Sequence, residues 1–243
     1  MIKYKKYAKR EQRLNHFISW VQQLDFDSVI QTALIVCASL LCITFHETCH
    51  GYAAYLLGDP TAKRAGRLTL NPLRHIDLVG LVMMAVVHFG WAKPVPVDMR
   101  NFKNPKAGMA LTALAGPLAN VLLAYIAVLL YMALAAVYYV KAAAWLSYVL
   151  TFLYCVQLIS AGLAVFNIFP IPPLDGSKVL FAFLPPRAYD TLMRYERYGM
   201  ALLAILLLTN VLDAPLTFLR EGLLDLLMKG GSWAFTLTLK CLM

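Results

Sequence analysis

Charged residues divide this chain into blocks. Asp, Glu, Lys and Arg are absent from residues 28–46, 78–92, 107–140, 142–174 and 198–212. A helix needs about 20 mostly apolar residues to cross the hydrocarbon core. The first block and its continuation therefore predict a span from about Ser28 to Leu57, stopped by Gly58-Asp59-Pro60. The longer blocks predict a second span from about Gly108 to Val140 and a third from about Trp145 to Ile168. Tyr198–Leu219 is the expected fourth. The block 78–92 is too short to cross and reads as re-entrant or interfacial. The pattern predicts an all-α polytopic membrane protein with about four to six transmembrane helices.

The segments between the spans have their own character. Residues 1–27 form a basic lead-in. Leu14, Phe17, Ile18 and Val21 recur there at helical spacing, as in a helix lying along the membrane surface. Residues 58–106 are rich in Pro, Gly and basic side chains. Within them "GRLTL" (66–70) and "KPVPV" (93–97) alternate like short strands, the second only as an edge because proline donates no ladder hydrogen bond. Irregular backbone is tolerated at membrane depth only where protein covers it or a wet cavity adjoins it. This region is therefore expected to be a small membrane-dipping, β-containing loop that rims a polar cavity. In the second span, Gly116 and Pro117 of "LAGPLAN" predict a close backbone approach and a kink. The chain is expected to divide into the lead-in 1–27, a core 28–185, and a C-terminal transmembrane helix and tail 186–243. The end of the tail, "SWAFTLTLKCLM", is expected to return to the interface.

Composition agrees. The chain is 60% hydrophobic and 14% charged, against about 25% charged in soluble domains. The net charge of +9 fits basic residues at membrane borders facing anionic headgroups. No basic patch sits on a foldable soluble domain, so nucleic acid is not an expected partner. The first apolar segment lacks a small-residue cleavage site, so no cleavable signal peptide is expected. The cysteines Cys37, Cys42, Cys49, Cys155 and Cys241 form no C-x-x-C pair. They read as small hydrophobes, not as a disulfide framework.

One block ends in chemistry. "ITFHETCHGY" contains His46, Glu47 and His50. H-E-x-x-H on a helix puts two imidazoles on one face, one turn apart, where they can grip one Zn²⁺. The Glu between them can serve as general base. A carboxylate deep in an apolar span costs about 2.5–3.5 kcal/mol on insertion scales, so Glu47 in this setting calls for a functional explanation. A catalytic zinc takes a third protein ligand and keeps a fourth position open. His16, His75, His88 and Asp175 are the candidates. Asp175 follows a proline cluster in "NIFPIPPLDG", where the chain can turn a carboxylate back into the bundle, although Asp-Gly is also a common turn pair. Topology favours it. If successive spans alternate in direction, the C-terminal half of the first and the end of the third lie at one membrane level, on the side that also carries the loop 58–106. An ion-transport reading of the buried His and Asp residues finds no repeat symmetry to support it.

These residues carry a family resemblance. Over roughly residues 28–185 the chain resembles the site-2 proteases, intramembrane zinc metalloproteases, in their short class without PDZ or CBS domains. The match rests on "HETCH", on "GYAAYLLGDPTAKRAGRLTLNPLRHIDLVG", "GWAKPVPV" and "LAGPLAN", and on "NIFPIPPLDG". The resemblance implies one Zn²⁺ per chain held by His46, His50 and Asp175, with zinc-bound water activated by Glu47. It implies a part for Asn167 in oxyanion stabilisation and marks Asn120 as a further recurring polar position. Cys49 stands where the family pattern has a small or apolar residue. The implied substrate is a transmembrane protein or peptide, cut within or near its membrane segment, with "GRLTL" as a candidate edge to hold it extended. Twelve Lys and Arg fall on the motif side of the membrane and ten on the other, a near-even split under the positive-inside rule. The resemblance, not the charge, implies a cell-membrane protein with its active site toward the cytosol.

Overall fold

The computed structural model describes residues 26–77, 80, 92–195 and 198–243. Its helices, in chain order, are α1 (Phe26–Leu56), α2 (Thr61–Arg64), α3 (Pro105–Lys141), α4 (Ala144–Ile168), α5 (Asp175–Ala182), α6 (Pro186–Tyr195), α7 (Gly199–Leu208) and α8 (Asp213–Leu242). Two 3-10 turns, Pro72–Arg74 and Met99–Asn101, interrupt the segment between α2 and α3.

The ends of the long helices follow local chemistry. Past the end of α1, Gly58 adopts φ +107, a conformation open to glycine, and the Asp59 N–H closes onto the Ala54 carbonyl. The Asn104 side chain accepts the Ala107 N–H at the start of α3, and Pro105 occupies its first position. α4 runs into Phe169, which is extended, and then into the prolines of "FPIPP". The chain re-enters helix at Asp175.

α1, α3 and α4 are each long and apolar enough to cross a membrane. They pack on small side chains: Ala38 and Cys42 of α1, Ala127 of α3, and Leu153 and Val156 of α4 form one buried cluster. Small residues let helix backbones approach closely where lipid removes any hydrophobic drive to associate. α8 joins the bundle through Leu227, which packs with Ala124, Val128 and Ala161. Opposite faces, such as Leu111, Leu118, Leu122 and Leu130 on α3, remain exposed outside the bundle, as lipid-facing positions do.

Two expectations need correction. The expected fourth span, 198–219, is not one helix. α7 ends at Leu208, Asn210 takes φ +56, and α8 departs at 88°. "NVLDAP" explains the break: Asn tolerates the left-handed region, and Asp213 with Pro215 suits a new helix start. The tail is accordingly helical through Leu242. The described residues contain three helices able to cross a membrane, or four if the bent α7–α8 pair counts as one. Second, no strand forms among the described residues. "GRLTL" is turn and bend, and "KPVPV" is extended without a ladder partner. Pro94 and Pro96 have no N–H, and that of Val95 is taken by a carboxylate, described below. The lead-in through residue 25, the stretch 78–91 except Gly80, and the candidates His16 and His88 lie outside the described residues.

The segment 92–101 is nevertheless firmly held. The Arg67 guanidinium, in a buried residue, donates to the carbonyls of Lys93 and Pro94 at 2.5 and 3.1 Å. Buried Asp59 accepts from the Asp98 N–H at 2.7 Å, the Asn101 amide at 2.7 Å and the Thr61 N–H at 3.0 Å. Burial pushes the Asp59 carboxyl up, but the Thr61 hydroxyl, which also donates to it, and these other donors outweigh burial and hold it below its ordinary value. Thr48 of α1 donates to the Thr69 carbonyl, fastening the loop to the helix that carries the motif.

Candidate metal centre

His46 and His50 lie one turn apart on α1 and are buried. Asp175, the first residue of α5, reaches both. Its Oδ2 lies 3.2 Å from His46 Nε2 and 3.1 Å from His50 Nε2, and the two Nε2 atoms are 2.9 Å apart. Tetrahedral ligands at about 2.0–2.2 Å from a zinc ion stand roughly 3.3–3.6 Å from one another, so the triangle is close to, and slightly smaller than, the size a zinc ion needs. The three residues form a cluster that can hold a metal ion. Cys49, between the histidines in sequence, contributes to neither the cluster nor the adjoining cavity walls.

The hydrogen bonding fits a cation. His50 Nδ1 lies 2.7 Å from the Thr112 carbonyl. A carbonyl only accepts, so Nδ1 carries the proton and the neutral ring offers the Nε2 lone pair. Asp175 Oδ2 is also an acceptor. With neutral rings, three inward-facing atoms share at most one proton, from His46, and a divalent ion suits such a donor set. His46 Nδ1 meets the Asn120 amide at 3.1 Å.

α3 makes room for this. Thr112, Gly116 and Asn120 recur every four residues, on one face of α3. A Cβ on Gly116 would lie 2.3 Å from His50 Nε2 and 2.6 Å from His46 Cε1. The expected close approach at Gly116 is therefore an approach to the imidazoles themselves. Gly176 serves α5 in the same way, since a Cβ there would meet the Ile168 carbonyl oxygen, 2.0 Å away. Only glycine lets Asp175 begin a helix against the end of α4.

Glu47 is half-buried, and its Oε2 accepts the Val95 N–H at 3.0 Å. That bond, and the Thr112 carbonyl behind His50, were missed in the sequence because backbone groups leave no signature there. Glu47, the three clustered residues, Asn167 and Lys178 line a cavity of about 360 Å³. A second cavity, about 240 Å³, meets the first at His46, Glu47, Asn167 and Pro173, and is otherwise walled largely by apolar residues such as Ile43, Leu163, Phe166 and Leu203. Asn167 Nδ2 donates to the Leu163 carbonyl at 3.0 Å, which leaves its second N–H. His75 is buried in the loop with Nε2 2.9 Å from the Thr69 carbonyl, and takes no part in the cluster.

Comparison with known proteins agrees with this chemistry. The model of peptidase family M50 matches residues 133–209, which include Asn167 and Asp175 but not the 46–50 motif. The chain is 37% identical over 175 residues to "Putative zinc metalloprotease YwhC" of Bacillus subtilis, covering 72% of this chain and 80% of that protein. It is 28% identical over 184 residues to the Rip2 protein of Mycolicibacterium smegmatis, which bears the same description, covering 74% of this chain and 68% of Rip2. Rip2 of Mycobacterium tuberculosis H37Rv is likewise 28% identical, over 199 residues. No solved structure matches the chain. The extent of identity to YwhC, together with the match to the family model, shows that the chain belongs to peptidase family M50, the site-2 protease family, and is a membrane zinc metalloendopeptidase.

Proposed function

We propose that this protein is an intramembrane protease that hydrolyses peptide bonds within or near transmembrane segments of other membrane proteins. The observation that carries the reading is the meeting of His46, His50 and Asp175 within about 3 Å of one another, between helices able to cross a membrane. In this reading His46 Nε2, His50 Nε2 and the Asp175 carboxylate would hold the zinc. Zinc in such a site lowers the pKa of water to about 7 and polarises a carbonyl.

The remaining steps fall to the chain's own residues. Glu47 takes a proton from the attacking water and passes it to the departing amine. The Val95 N–H anchors one of its oxygens and leaves the other for proton transfer. Asn167 offers its second N–H to the developing oxyanion, a contribution of about 100- to 1,000-fold in kcat where such donors have been removed. The two cavities suit the substrate: one carries Lys178 and the ionisable groups, the other is mainly apolar and fits side chains drawn from a membrane segment. The site faces the cytosol from the cell membrane, as in the family it resembles.

The test is Glu47→Gln. Cleavage of a co-expressed membrane substrate is expected to stop while zinc stays bound. Full cleavage by Glu47→Gln would remove the proposed base. Membrane proteins that accumulate uncut in that background identify the substrate.

A further inference from the structure

Asn120 is fully buried on α3. Its Nδ2 lies 3.1 Å from His46 Nδ1, while its Oδ1 is buried without a hydrogen-bond partner among the described residues. The nitrogen and oxygen of a side-chain amide exchange places on a half-turn, and which is which follows from the hydrogen bonds. The far end of the amide, as placed, has no donor to accept from among the described residues, and its near end meets His46 Nδ1. The choice therefore rests on His46 Nδ1. If Nδ2 donates to Nδ1, the ring must carry its proton on Nε2, which points at Asp175 Oδ2 and His50 Nε2. That tautomer blocks the metal. If Oδ1 faces Nδ1, the proton sits on Nδ1 and the Nε2 lone pair is turned inward.

The neighbouring histidine shows the second arrangement without ambiguity. His50 Nδ1 is held by the Thr112 carbonyl, which can only accept. Thr112 and Asn120 flank Gly116 on the same face of α3. One face of one helix would then supply an acceptor to each imidazole and the space for both. We propose that Asn120 is a positioning residue for the zinc site: its side-chain carbonyl takes the Nδ1 proton of His46 and holds that ring in the metal-binding tautomer. The inference rests on the reading of His46, His50 and Asp175 as zinc ligands.

The test compares Asn120→Asp, which can only accept, with Asn120→Leu, which does neither. Detergent-solubilised protein is stripped with a chelator, and affinity for zinc alone is measured by competition with a chromophoric chelator. Asn120→Asp is expected to bind within about threefold of the parent. Asn120→Leu is expected to bind 10- to 100-fold more weakly, the usual effect of removing an outer-shell partner. Equal loss in both variants, with helical content intact, overturns the proposal.

If Asn120→Asp does not fold, ¹⁵N-histidine spectra of zinc-loaded parent and Asn120→Leu decide. The His46 Nδ1–H resonance should shift in Asn120→Leu while the His50 Nδ1–H, held by a backbone carbonyl, stays in place. An unmoved His46 resonance overturns the proposal. Failure of the ligand reading itself looks different, because the parent would then bind no zinc at this site.

Discussion

Gly116→Ala adds one methyl group against the site. The new Cβ would stand 2.3 Å from His50 Nε2, 2.4 Å from its Cε1 and 2.6 Å from His46 Cε1. Ordinary van der Waals contact begins near 3.4 Å, so about 1 Å of relief is needed. A loose side chain would give way cheaply, but these rings are held. His50 is bonded to the Thr112 carbonyl at 2.7 Å, and His46 meets Asn120 at 3.1 Å. Both partners ride on α3 with Gly116, so moving the helix moves them too. Overpacking of this kind costs about 1–3 kcal/mol, and metal–ligand distances tolerate only about 0.2 Å. Zinc affinity is therefore expected to fall by about 10- to 100-fold, or roughly 1.4–2.7 kcal/mol. The assay is zinc per chain by elemental analysis, followed by competition with a chelator, with circular dichroism to verify folding. Gly222→Ala is the control, since a Cβ there meets nothing within 4 Å, and it should keep its zinc. A Gly116→Ala protein that binds zinc as the parent does would refute the packing of α3 against the histidines.

Other predictions concern the segment over the site. Val95→Pro removes the N–H that Glu47 accepts and should lower kcat about tenfold or more with zinc content unchanged, which steady-state kinetics beside metal analysis can check. Asp59→Ala leaves the donors of Thr61, Asp98 and Asn101 unserved. It should cost about 2–4 kcal/mol in thermal unfolding and expose residues 92–101 to added protease. The Asp59 carboxyl sits below its ordinary value in the folded state, so the unfolded chain binds its proton first as pH falls. Its stabilisation is full above the ordinary carboxylate pKa of about 3.9 and is lost as pH falls toward the depressed folded value. A melting temperature that declines across that acid window in the parent, and more weakly in Asp59→Ala, is the expected result.

The spans were legible because lipid imposes a simple rule. Between Ser28 and His46 no charge interrupts the sequence, and α1 runs from Phe26 to Leu56, within two residues of the expected bounds. Asp175 was legible as a candidate through topology, since only an alternating path through α1, α3 and α4 returns it to His46. Other features were hidden. The break at Asn210 lies between two stretches that are both apolar, so hydropathy does not register it, although "NVLDAP" carries the local signal. The alternation in "KPVPV" arises from prolines that keep the segment extended, and its one interior N–H, on Val95, goes to Glu47 rather than to a neighbouring strand. From the sequence, Gly116 is a packing position. That it packs on the histidines themselves depends on the register of α3 against α1, which the sequence does not express.

The most direct measurement is zinc K-edge X-ray absorption on the purified, zinc-loaded protein, with Asp175→Ala beside it. The parent should show a shell of nitrogen and oxygen at about 2.0–2.2 Å, including two imidazoles, and Asp175→Ala should lose an oxygen ligand or the metal. A sulfur shell at about 2.3 Å, or an unchanged spectrum in Asp175→Ala, would contradict a site built from His46, His50 and Asp175.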